Sequence, residues 1–155
     1  MPVATAEDPD DGPRRLYQVH VATFSEWAQA LAGLTVNALF LALEQVPPVD
    51  EVAAMARHFI AGGVFYVSCW GAQCELTHDV FDEVDVQLDI EAGREPAEVV
   101  VMTTWHDDES LLDALRFFWI AASPSEGKAG GPTFLALSVG SDALRAGMLE
   151  AAKAL

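Results

Sequence analysis

The chain has 155 residues, 24 of them acidic and 8 basic, giving a formal net charge of −16 at neutral pH. That length suits one domain with its own core, and a composition that is 52% hydrophobic excludes global disorder. The charge repels nucleic-acid phosphates and anionic lipid, and the richest apolar run, Phe117 to Ala122, is far shorter than the ~20 residues that cross a bilayer.

Residues 1–12 carry Glu7, Asp8, Asp10 and Asp11 among prolines and read as a disordered acidic arm. They lack the basic start and apolar core of a signal peptide, so the cytoplasm is the expected compartment, and there Cys69 and Cys74 are expected as thiols. Residues 13–155 read as a single α/β domain. Within it, residues 15–23 alternate (Leu16, Tyr17, Val19, Val21) as a first strand. Residues 25–34 read as a helix capped by Ser25, with Trp27, Ala28, Leu31 and Ala32 sharing a face. The continuous apolar run 36–43, stopped by Pro47-Pro48, suits a strand covered on both faces, with a buried helix as its competitor.

Residues 50–61 form the clearest helix, with Val52, Met55, Ala56, Phe59 and Ile60 on one face and Gly62-Gly63 at its end. Residues 64–69 are rich in strand formers. Residues 75–84 predict a helix with Leu76, Val80, Phe81 and Val84 inward. Its tail is open: Val84, Val86, Leu88 and Ile90 alternate with acids or Gln, so residues 84–91 fit a helix or an edge strand. Residues 98–104 make the strongest strand pattern. Residues 110–122 predict a helix with Leu111, Leu112, Leu115, Phe118 and Trp119 inward. A Ser-, Gly- and Pro-rich loop over 123–132 leads to a strand at 133–139, and Gly140-Ser141-Asp142 turns into a last helix capped by Ser141. The order β-α-β-α-β-α-β-α from Val36 onward predicts a small three-layer Rossmann-like or flavodoxin-like sandwich. Its sheet is expected to be mostly parallel, with about four to five strands.

Two polar segments, Cys69 to Asp79 and Trp105 to Ser110, each fall where a strand passes into a helix. Ligands of open parallel sheets sit at such strand ends. If the two strands are neighbours, Cys69, Cys74, His78, His106 and Asp107 converge. One reading is a zinc site formed by Cys69, Cys74, His78 and His106, although the spacing lacks the close Cys and His pairs of structural zinc. A second is catalysis by Cys74 near a helix N-terminus, with His78 one turn on as base; Glu75 and Asp79 oppose a thiolate there. A third is a ligand held by Cys69, Trp70, Trp105 and the turn at Ser141, without a phosphate-binding glycine motif or nearby cation. The favoured reading is structural: acids at a helix start complement its dipole, and small cysteines fill a core.

The stretch from Val64 to Ser110 carries a recognisable pattern. Trp-Gly-x-x-Cys-Glu-x-x-His-Asp-x-x-Asp-Glu spans Trp70 to Glu83, and Thr-Thr-Trp-His-Asp-Asp-Glu-Ser spans Thr103 to Ser110. In these segments the chain resembles a small bacterial protein family of unknown function. The resemblance implies a small α/β domain and carries no catalytic residue onto this chain.

Phe117 and Ile120 are apolar side chains surplus to the inward face of their helix, so they are candidate contacts for a partner or a homodimer. The leading expectation is a non-catalytic acidic binding or accessory protein, acting on a partner with a basic surface and needing no cofactor. The alternative is a small enzyme or ligand-binding domain, with Cys74 or His106 reactive at the strand ends and Asp107 orienting a histidine.

Overall fold

The computed structural model describes residues 1–10, 12–96 and 100–155. Among these residues six strands form one sheet: β1 (Ala4–Asp8), β2 (Gly12–Val21), β3 (Ala38–Leu43), β4 (Tyr66–Gly71), β5 (Met102–His106) and β6 (Thr133–Val139). Their order is β1-β2-β6-β3-β4-β5, parallel throughout except for the antiparallel β1–β2 pair. The helices are α1 (Trp27–Ala30), α2 (Val49–Ala61), α3 (Cys74–Glu91), α4 (Leu111–Ala121) and α5 (Asp142–Lys153).

Alternation along the strands divides the core into two layers. Leu39, Leu41, Leu43, Val67, Leu135 and Leu137 face α2, α3 and the segment around Trp27 and Leu31. Phe40, Ala42, Phe134 and Ala136 face α4 and α5. Every residue of β3 is buried, as expected for a central parallel strand. The protein is thus an α/β sandwich with helices on both faces of a mostly parallel sheet, with two more strands at its antiparallel end than the repeating units from Val36 account for.

Several local expectations are corrected. Much of the expected N-terminal arm is β1, held by a charge pair that runs against simple composition. Arg14 is buried, donates to the Trp119 carbonyl at 2.7 Å and to Asp8 Oδ2 at 2.6 Å, and lies 5.3 Å from the centroid of the Phe134 ring. Ser25 caps no helix. It lies within a 3-10 turn, Phe24–Glu26, and only Trp27–Ala30 continues as α-helix. Only Trp27 and Leu31 of that expected apolar face are buried, and Gly33, at φ +77°, turns the chain away soon after. The open tail over 84–91 is helix. It keeps Val84 buried and leaves Val86 and Ile90 exposed. The strand expected over 98–104 begins outside the described residues, and β5 is its described continuation through His106.

Candidate functional site

The sequence placed its candidates at the carboxyl ends of β4 and β5, and these strands are neighbours. Their register sets Cys69 opposite Trp105 and Trp70 opposite His106. Opposed residues share a face and successive residues alternate, so the pleat separates the cluster. Cys69, Trp105 and the α3 residue His78 lie on one side of the sheet, where the His78 and Trp105 rings are 4.6 Å apart. Trp70 and His106 lie on the other side, toward α4, where the His106 ring is 5.0 Å from that of Phe117. The two-Cys, two-His set is therefore not brought together. Among the described residues no group of three or more His, Cys, Asp or Glu is placed to hold a metal ion.

Each histidine has local partners. His78 Nδ1 lies 3.0 Å from Asp79 and Nε2 3.4 Å from Asp82. His106 is buried, with Nδ1 3.0 Å from Glu109 and Nε2 3.2 Å from the Thr104 hydroxyl. Trp70 Nε1 donates to the Glu109 carbonyl at 2.9 Å. Asp107 is exposed, and it lines a shallow depression with Gly71, Gln73, Cys74 and Glu75. The two polar segments do meet, and their contacts join the β4–α3 turn to the β5–α4 turn. Gly71 is required at that joint: its φ is +96°, and a Cβ there would collide with the Leu43 carbonyl.

Burial pushes both thiols up. For Cys69 the next contributions are the neighbouring Cys74 and Asp82, and all act in the same direction. For Cys74 the main-chain N–H of His106 offsets part of the effect, while the Asp107 carboxylate adds to it. Among the described residues no histidine ring nitrogen is hydrogen-bonded to either sulfur. A cysteine nucleophile needs the reverse arrangement, a lowered thiol beside a base.

Sequence reasoning missed the true switch point. Strands β3 and β6 are adjacent, and the helices that follow them, α2 and α5, pack on opposite faces. Ligands of doubly wound sheets favour the crevice between two such strands. Here a crevice of about 210 Å³ is lined by Thr23, Phe24, Ser25, Pro47, Glu51 and Gly140. Glu44 already occupies the helix N-terminus beside it. It accepts the Ser141 N–H at 2.7 Å and the Ser141 hydroxyl at 2.6 Å, and these bonds hold its carboxyl below the usual range. Ser141 also caps α5 by accepting from the Leu144 N–H at 3.2 Å. The position that would attract a phosphate thus holds a carboxylate.

The β5 edge and the adjoining face of α4 carry several of the exposed large apolar side chains. Trp105 is 43% exposed, Phe117 44% and Ile120 70%, and Met102 is also exposed. Trp105, His106, Glu109 and Phe117 line one concavity there, and Ile120 follows Phe117 on the outer face of α4. Along the same edge run carboxylates of α3. Asp82 accepts from the Thr103 hydroxyl at 2.6 Å, and Asp85 accepts from the Val101 N–H at 2.9 Å. Both interface residues chosen from the sequence, Phe117 and Ile120, belong to this surface, and Met102 and Trp105 extend it. Trp105 was read as a ligand contact because its exposure depends on β5 ending the sheet. Strand order decides that.

Fold and surface together define a three-layer α/β domain with an acidic, partly apolar free sheet edge. The chain belongs to the family described as Domain of unknown function (DUF7684), which it matches over residues 16–154. No curated protein and no solved structure matches it. Among the described residues no helix is long and apolar enough to cross a membrane.

Proposed function

We propose that this protein is a non-catalytic binding module acting through protein–protein contact, with the β5 edge and the adjoining face of α4 as its contact surface and a basic protein as its partner. The observation that carries this reading is the meeting of exposed apolar side chains and carboxylates on one edge. Trp105, Phe117 and Ile120 offer area whose burial favours association, and aromatic side chains are typical anchors of protein interfaces. Glu109 lines the same concavity as Trp105 and Phe117, and Asp79 and Asp82 flank the His78 ring that packs on Trp105; these carboxylates favour a cationic partner, mainly by speeding and orienting encounter. The raised thiol of Cys74 and the carboxylate already seated at the α5 N-terminus weigh against the enzyme and phosphate-ligand alternatives.

The test is a display library of random peptides selected against the wild-type chain and against the double variant Phe117→Ser, Ile120→Ser. The reading expects peptides rich in Lys and Arg that bind the wild type and lose affinity for the variant. Selection of no such peptide, or equal binding to both proteins, contradicts it.

A further inference from the structure

Strand β5 ends the sheet, and the direction of its main chain can be read from the ladder. The Met102 N–H donates to the Phe65 carbonyl at 3.0 Å, so Met102, Thr104 and His106 turn their peptide groups toward β4. In a parallel pair the intervening residues face the opposite way. Thr103 and Trp105 therefore direct their N–H and C=O groups outward, and among the described residues no hydrogen bond reaches them. The next outward N–H along the strand, that of Val101, is taken by Asp85. The open stretch thus has a defined start.

Natural edges are commonly protected by a charged residue or a proline within the strand. The other edge, β1, carries Glu7 and Asp8 and is followed by Pro9. Met-Thr-Thr-Trp-His carries no proline and no acidic, Lys or Arg side chain. Charge lies beside the strand instead, in Asp82 and Asp85 on α3 and in Asp107 and Asp108 just beyond its end. Burial raises the Asp85 carboxyl, and the nearby carboxylates of Asp89 and Asp82 raise it further, against the Val101 N–H and Lys128, which lower it.

We propose that β5 receives an extended segment of a basic partner as an added strand, with the main-chain groups of Thr103 and Trp105 pairing to it and its Lys or Arg side chains meeting the carboxylates along α3. The inference rests on the protein-contact reading above and specifies its mode. A strand laid on this edge places alternate side chains on the two sides of the sheet. One set meets Trp105 and the carboxylates of α3, and the other meets Phe117. Added main-chain bonds supply affinity, and the flanking side chains supply choice of sequence. A second copy of this chain is the disfavoured occupant, because pairing two β5 edges brings two carboxylate rows together.

The experiment uses the basic peptides selected above and isothermal titration against three chains. Thr103→Pro removes one outward donor without touching the β4 ladder, a substitution that edge strands tolerate. Thr103→Val removes the hydroxyl bonded to Asp82 and keeps the N–H. Asp82→Asn with Asp85→Asn removes charge from the rail. The proposal expects Thr103→Pro to weaken binding about fivefold or more beyond Thr103→Val, the scale of one lost hydrogen bond. It expects the double Asn variant to weaken binding and to reduce its salt dependence. Circular dichroism checks that each chain folds. If Thr103→Pro does not fold, peptides N-methylated at alternate residues carry the test, since one methylation phase must abolish pairing and the other spare it. Peptides that lose binding on Phe117→Ser, Ile120→Ser yet ignore both Thr103→Pro and N-methylation overturn the added strand while leaving the contact surface intact. Failure to select any basic peptide overturns both.

Discussion

Helix α4 offers a direct comparison between side chains that hold the fold and side chains that do not. Phe118 is fully buried, with ring centroids 5.6 Å from Phe40, 6.2 Å from Tyr66 and 5.6 Å from Phe134. Phe118→Ala removes that contact and leaves a cavity, at a cost of about 3–5 kcal/mol. Its neighbours lie on the other side of the same helix. Full burial of a large apolar side chain contributes about 1.5–3 kcal/mol, and Phe117 and Ile120 remain 44% and 70% exposed. Scaling by the buried share, Phe117→Ser should cost about 1–1.5 kcal/mol and Ile120→Ser less than about 1 kcal/mol. Urea unfolding followed by far-ultraviolet circular dichroism measures all three on one scale. A loss above about 3 kcal/mol for either surface variant would place that side chain in the core and refute the contact surface. A loss below about 1 kcal/mol for Phe118→Ala would refute the assigned packing of α4 on the sheet.

Four further outcomes follow from the same geometry. Asp8→Asn should destabilise the protein by about 1–3 kcal/mol, because it takes the carboxylate from a buried guanidinium, and proteolysis should then cut near residues 9–12 sooner. Burial raises Cys69, Cys74 and Tyr66, so the folded state keeps protons that the unfolded chain releases. Stability should therefore fall as pH rises past about 9, where free thiols ionise, and further past about 10, where tyrosine does; denaturant midpoints across pH 8–11 measure it, and a rising midpoint contradicts it. The raised Asp85 carboxyl acts in the same sense in acid, losing stability as pH rises from about 4 through its folded value and so opposing the gain from the lowered Glu44 carboxyl; Asp85→Asn should let denaturant midpoints rise more steeply above about pH 4 than in wild type, and a shallower rise contradicts it. Iodoacetamide should label native Cys74 slowly below pH 8 and faster only in denaturant, and rapid native labelling would restore the catalytic reading.

Periodicity in the sequence was enough for the alternating units from Val36 onward, because each buries an apolar stripe or run against one sheet. It failed where the deciding interaction was distant in sequence. Strand β1 depends on Arg14 reaching both Asp8 and the Trp119 carbonyl, so an acidic, Pro-rich segment looked like an arm. The short α1 buries only Trp27, and Leu31 just beyond it is the other buried residue of the expected face. The convergence expected of Cys69, Cys74, His78 and His106 required both neighbouring strands and a common face. The strands are neighbours, but the pairing of Cys69 with Trp105 sends His106 to the other side. Register carries no local signal that would reveal this. The switch point between β3 and β6 was hidden for the same reason, since Glu44 and Ser141 lie 97 residues apart. The surplus of Phe117 and Ile120 was legible because a helix has a fixed period and Phe118 and Trp119 claim its inward face.

The central claim is that the β5 edge takes an extended basic segment. Residue-resolved hydrogen exchange with and without a saturating selected peptide tests it most directly. The outward amides of Thr103 and Trp105, which no hydrogen bond reaches among the described residues, should become protected, while Thr104, already bonded within the ladder, should change little. Protection confined to another surface, or none on β5 while the peptide is bound, would contradict it.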